Sequence, residues 1–95
     1  MADRPMLRII AYDIASDQRR RVIAKTLEKK AVRVQESLFE ARLTHRQTER
    51  LMDRLLRLKA PEDSVRLYTV PDSQLPRCRE GGGPAIDTGG RFWLA

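Results

Sequence analysis

Val32-Arg33-Val34-Gln35-Glu36-Ser37-Leu38-Phe39-Glu40-Ala41-Arg42-Leu43 is the stretch on which the reading of the fold depends. Its Val, Phe and Leu content favours extended chain, yet its alternation changes phase. Val32 and Val34 share one parity, whereas Phe39, Ala41 and Leu43 share the other. Side chains of a regular strand alternate strictly between two faces. A phase change therefore requires a bulge or a break near Glu36-Ser37-Leu38. One bent strand and two short strands both satisfy the pattern. The polar Arg33, Gln35 and Ser37 fall on the parity that Phe39 continues. That reads as a patch facing a nucleic acid or a second subunit, or else as an ordinary exposed sheet face.

Working outward, Met6 to Tyr12 is an apolar run ending at Asp13, and its length and isoleucines predict a buried strand. Ser16 or Asp17 can cap the segment from Gln18 to Lys30, where Val22, Ile23 and Leu27 recur at helical spacing. On the other side, Thr44-His45-Arg46-Gln47 matches a capping box. The helix it opens carries Leu51, Met52, Leu55 and Leu58 on one side and Arg46, Arg50, Arg54 and Arg57 on another, and Ala60-Pro61 stops it. Asp63 to Val70 alternates as a strand. The order strand, helix, strand or strands, helix, strand predicts an α+β, ferredoxin-like βαββαβ sandwich. Two helices would cover one face of an antiparallel sheet. The other face, expected to carry Ile, Tyr and Phe, would invite a second copy of the chain.

Ninety-five residues make one small domain, and a chain of that size buries only about 60–65% of its unfolded surface. Neither glycine nor proline occurs between residues 6 and 60, and all five glycines fall between Gly81 and Gly90. The expected organisation is a core domain over 1–70 and a Pro/Gly-containing tail over 71–95. Gly81-Gly82-Gly83-Pro84 reads as a linker. Beyond it, Arg91-Phe92-Trp93-Leu94-Ala95 is a short apolar end that would dock on its own sheet edge, a sister protomer or another protein. No apolar stretch is long enough to span a bilayer, and Arg8 and Asp13 interrupt the first apolar run, so the expected compartment is cytoplasmic. The single cysteine, Cys78, excludes an internal disulfide and a multi-thiolate zinc site.

Charge carries more information. Lys and Arg number 19 against 13 acids, a net charge of +6, and most of the cations are arginine. Such a balance points to phosphate or an acidic surface, although arginine richness for solubility is the competing explanation. Asp13, between a strand end and a helix cap, can reach a metal ion or cap backbone N–H groups nearby. One carboxylate is a poor Mg²⁺ site, but a two-fold axis beside Asp13 would supply two. Arg19-Arg20-Arg21 cannot all share one helix face, so at least one should point towards the sheet edge or Asp13, where a guanidinium can fork onto phosphate. The Arg46, Arg50, Arg54, Arg57 stripe reads as solvated surface, or as a track for a backbone. His45, the only histidine, has no evident triad partner. Gly-rich phosphate loops and the aromatic cluster of RNA-recognition sheets are both missing.

Tyr12-Asp13-Ile14, Arg19-x-Arg21-Val22, Arg33-Val34-Gln35-x-Ser37-Leu38-Phe39-Glu40, Leu43-Thr44 and Asp63-Ser64-Val65-Arg66-Leu67-Tyr68 occur in that order over residues 6–70. Together they resemble the CRISPR-associated Cas-two family. The resemblance implies a ferredoxin-like homodimer that bridges DNA in the spacer-acquisition complex with the CRISPR integrase, its larger partner. It also implies a metal-dependent endonuclease acting on RNA or double-stranded DNA; a purely structural DNA-binding scaffold is the alternative. By position, Asp13 would be the catalytic residue and bind Mg²⁺ or Mn²⁺ between two protomers, with Tyr12 bordering the site. Arg19, Arg21 and Arg33 would hold phosphates, and Phe39 would belong to the same nucleic-acid-binding surface. Phe92, Trp93 and Leu94 would form a C-terminal docking strand that extends the sheet onto the sister protomer or the integrase, its partner. One departure is Ala31, which stands where the family's turn after the first helix usually carries glycine; a left-handed residue there would cost alanine about 1–2 kcal/mol.

Overall fold

The computed structural model describes residues 3–90. Strand β1 (Met6–Asp13) leads into helix α1 (Asp17–Glu28), then β2 (Val32–Gln35), β3 (Leu38–Leu43), helix α2 (His45–Leu58) and β4 (Ser64–Val70). A short 3₁₀ turn, Asp72–Arg77, follows. The strands form one antiparallel sheet in the order β2-β3-β1-β4, which is the ferredoxin-like α+β sandwich expected from the βαββαβ order.

The deciding stretch resolves into two strands joined by a tight turn at Glu36-Ser37. It holds an irregularity as well. Val32 pairs with Glu40 and Arg33 with Phe39, but Gln35 pairs with Leu38, so the register shifts across Val34. The extra residue accounts for the change of phase. Val32, 56% exposed, lies on the sheet side away from the core.

Pairing of Ile10 with Phe39, of Arg8 with Ala41 and of Met6 with Leu43 sets one parity of each strand on the helical side. There Ile10, Tyr12, Phe39, Ala41 and Leu43 pack with Ile23, Ala24 and Leu27 of α1 and Leu51 and Leu55 of α2. Each helix starts from a side-chain cap. The Ser16 hydroxyl accepts from the Arg19 N–H, and Thr44 and Gln47 complete a reciprocal capping box. The Asp3 carboxylate accepts two further α2 donors, the N–H groups of His45 and Arg46, at 2.7 and 3.0 Å. Among the described residues, none other than glycine has a positive φ. Ala31 instead donates its N–H to Leu27 O at 2.8 Å, so this turn is built without a left-handed residue.

The second sheet face carries Ile9, Ala11, Leu38, Glu40 and Arg42, with Arg66 and Tyr68 opposite Ala11 and Ile9. It is open only in part. Leu7 of this face and Leu75 of the 3₁₀ turn are both buried, and Arg42 pairs with Asp72 at 3.4 Å. The later tail follows the sheet edge, with Ala85 and Asp87 beside Val32, Val34 and Arg42. Gly89 sits at φ +67°, a conformation that favours glycine, and a Cβ there would stand 2.8 Å from the Arg42 guanidinium and displace it. The expected docking strand at Phe92, Trp93 and Leu94 lies outside the described residues.

Candidate nucleic-acid interface

Two consecutive residues at the end of β1 face opposite ways, as strand geometry dictates. Tyr12 turns to the helical side and is 6% exposed. Its hydroxyl donates to the Glu36 carbonyl at 3.1 Å, and its backbone N–H donates to the Ser37 carbonyl at 3.2 Å. The β2–β3 turn is thus tied to the end of β1 at two points. Asp13 turns to the other side, opposite Ser64, and is exposed. Among the described residues its carboxylate neither accepts a hydrogen bond nor enters an ion pair.

The loop-capping role open to Asp13 belongs instead to Asp63. Asp63 has a fully buried side chain and accepts from the backbone N–H groups of Ala15 at 3.0 Å and Ala60 at 2.9 Å. It also accepts from Arg19 Nε at 2.8 Å and a terminal Arg19 nitrogen at 3.2 Å. The Arg19 guanidinium and these backbone donors hold its carboxyl well below the usual carboxylate range. Reciprocally, Asp63 raises the pKa of Arg19. Sequence reasoning missed this lock. Asp63 stood out only as the first residue of a motif, and nothing in its local spacing points 44 residues back.

The three successive arginines separate as a helix requires. Arg19 faces Asp63 and Glu62, so the guanidinium expected to hold phosphate is committed to an internal fork. Arg20 donates to the Asp17 carboxylate at 2.6 Å and to the Ile14 carbonyl at 3.1 Å. Arg21 lines an open groove of about 330 Å³ between α1 and the β2–β3 turn, together with Tyr12, Arg20, Lys25, Arg33 and Glu36. A neighbouring groove of about 350 Å³ shares Tyr12, Arg20 and Glu36 with it and is lined by Asp13 and Ser37 as well. Tyr12, Asp13, Arg21 and Arg33 are therefore brought around one hairpin tip, whereas Arg19 lies apart.

Phe39 corrects an expectation. It was placed on the nucleic-acid-facing surface, but it is 0% exposed in the helix-facing core. Phe39 pairs with Ile10 and alternates with Ala41 and Leu43 on the helical side, while the register shift at Val34 turns Gln35, paired with Leu38, to the opposite face. The Phe39 ring lies 6.1 Å from that of Tyr12. Arg33 stacks over Phe39 with its guanidinium carbon 5.1 Å from the ring centre, and it also pairs with Glu28 at 3.4 Å. The Phe39 ring thus backs the Arg33 guanidinium where it lines the groove. Among the described residues no group of three His, Cys, Asp or Glu side chains could hold a metal ion, and no helix is long and apolar enough to cross a membrane.

The family model described as CRISPR associated protein Cas2 matches residues 6–78. A relative in Chloroflexus aurantiacus, CRISPR-associated endoribonuclease Cas2 3, is 44% identical over 66 residues, which are 68% of this chain and 71% of the relative. A crystal structure of a hypothetical protein from Thermus thermophilus superposes with a TM-score of 0.73 at 35% identity, covering 85% of this chain and 96% of that one. Streptococcus pyogenes Cas2 superposes with a TM-score of 0.69 at 26% identity, over 81% of this chain and all of that one.

Proposed function

The chain belongs to the CRISPR-associated Cas2 family, and from that premise we propose that it is the small homodimeric subunit of CRISPR spacer acquisition. In this reading it bridges DNA in a complex with the CRISPR integrase and hydrolyses phosphodiesters of RNA or double-stranded DNA at Asp13. The observation that carries the proposal is the placement of Asp13: exposed, unpaired among the described residues, and beside the arginine-lined groove at the hairpin tip. The name endoribonuclease on the Chloroflexus aurantiacus relative supports the enzymatic part. A structure neighbour described as a partial Cas6-RT-Cas1–Cas2 complex supports the partner.

Asp13 stands on the sheet face that the helices leave uncovered. A second copy packed on that face with the two-fold axis beside Asp13 would bring two Asp13 carboxylates together, a hard oxygen donor set that fits Mg²⁺ or Mn²⁺ where one protomer's single carboxylate does not. The paired Asp13 carboxylates would hold the divalent cation, which would supply Lewis-acid activation of the phosphodiester. Arg21 and Arg33 orient the substrate by its phosphates, and their charge offsets the negative charge that develops during hydrolysis. Tyr12 keeps the hairpin tip, and with it the strand that carries Arg33, against the end of β1 beside Asp13.

The test is cleavage of labelled RNA and duplex DNA with Mg²⁺, Mn²⁺ or EDTA, comparing wild type with Asp13→Ala on matched dimeric samples. Metal-dependent cleavage by wild type, falling to background in Asp13→Ala, is the expected result. Equal cleavage by both proteins, or none by either, removes the enzymatic part. Co-purification with the integrase then tests the scaffold alone.

A further inference from the structure

The helical layer carries another basic groove, separate from the one at the hairpin tip. Lys29 and Lys30, just past α1, and Arg50, Arg54 and Arg57 of α2 line an open channel of about 410 Å³, with Leu51 at its floor. No acid lines it, whereas the hairpin groove balances its cations with Asp17, Glu28 and Glu36. The i,i+4 partner that sequence spacing offers Arg57, Asp53, is not used. Among the described residues none of the five cations enters an ion pair. Like charges gathered without counter-charges work against the compact state, and a polyanion in the groove would relieve that repulsion.

We propose that this groove binds the sugar-phosphate backbone of a nucleic-acid duplex. Arg50, Arg54 and Arg57 recur at i, i+4 and i+7 along one side of α2, a row about 10 Å long, and the two lysines face them from the end of α1. No aromatic residue lines the channel, so it has no stacking platform for unpaired bases. Of its neutral polar side chains, the Thr26 hydroxyl is already donated to Val22 O at 2.8 Å. The lining is otherwise dominated by five cations, the side chains that most often hold phosphate oxygens and so fix a backbone in place. The proposal shares with the function above only the premise that the ligand is nucleic acid.

The test is the salt dependence of binding to a labelled mixed-sequence DNA duplex, with EDTA throughout to exclude cleavage and duplex RNA titrated in parallel. The proteins are the full chain, Arg50→Ala/Arg54→Ala, Arg50→Lys/Arg54→Lys, and an Arg77→Ala/Arg79→Ala control that removes the same charge elsewhere. Loss of two phosphate contacts flattens the slope of log affinity against log salt by about 2 and weakens binding roughly fiftyfold at 0.1 M salt. The lysine pair and the control are expected near wild type, and circular dichroism verifies that each variant is folded. An unchanged slope in the alanine pair, an equal loss in the control, or no recovery with lysine would each overturn the proposal. A wild type that shows no metal-dependent cleavage counts against the Asp13 site and leaves these slopes as they are.

Discussion

Asp63 and Arg19 are 44 residues apart in sequence, yet two hydrogen bonds of 2.8 and 3.2 Å join their side chains. The carboxylate also satisfies backbone donors on the β1–α1 and α2–β4 loops. Asp63→Asn keeps the shape and loses the charge, leaving a guanidinium without its partner. We expect it to lower the melting temperature by roughly 10 °C or more, read by circular dichroism. The pH dependence has a definite sign. Because the folded carboxyl titrates below its ordinary value of 3.8, its contribution is complete above that value and is lost as pH falls through the lowered one. The stability difference between wild type and Asp63→Asn, measured in urea melts, should therefore be largest near neutrality and shrink in acid.

Helix entry and exit are decided locally, and both can be tested. Thr44 accepts from the Gln47 N–H at 3.1 Å while the Gln47 side chain accepts from the Thr44 N–H at 2.9 Å. Thr44→Ala removes the hydroxyl half of this exchange and should cost about 1 kcal/mol in the denaturant midpoint. The exit of α1 behaves differently from the family pattern. Ala31 does not sit in the left-handed region, so glycine would bring only extra freedom to the unfolded chain. Ala31→Gly should accordingly destabilise by about 0.5–1 kcal/mol; a gain in stability would show that the turn prefers a left-handed residue after all.

At the scale of the molecule, the proposed homodimer would meet through the sheet face that the helices leave uncovered. Tyr68, 52% exposed, lies opposite Ile9 on that face, away from the part that Leu75 and the tail cover. Tyr68→Glu would bury a charge in such an interface. We expect it to weaken self-association by tenfold or more, about 1.4 kcal/mol, in light scattering across a dilution series, while monomer helicity is retained. An unchanged dissociation constant would place the interface elsewhere.

Much of this architecture was legible in the residues. Apolar periodicity, the Thr44-Gln47 box and the phase change after Val34 are local signals, written in the order in which the chain is made. They were enough for βαββαβ, and the family motifs placed Asp13, Arg21 and Arg33 near one another. Fates that depend on distant partners were not legible. Phe39 looked surface-bound because its neighbours on one parity are polar, but a one-residue register shift in β2 takes Gln35 off its face, and pairing with Ile10 sets Phe39 in the core. Arg19 looked free because Asp63 is far away in sequence. Asp13 looked able to cap its own loop until Asp63 was found in that role. Sequence by itself determined which segments are strands and helices, since hydrogen bonding and side-chain spacing act over a few residues. Only the tertiary structure decided which cations are committed to internal partners and which face solvent, because Coulomb and hydrogen-bond energies depend on distance in space and not along the chain.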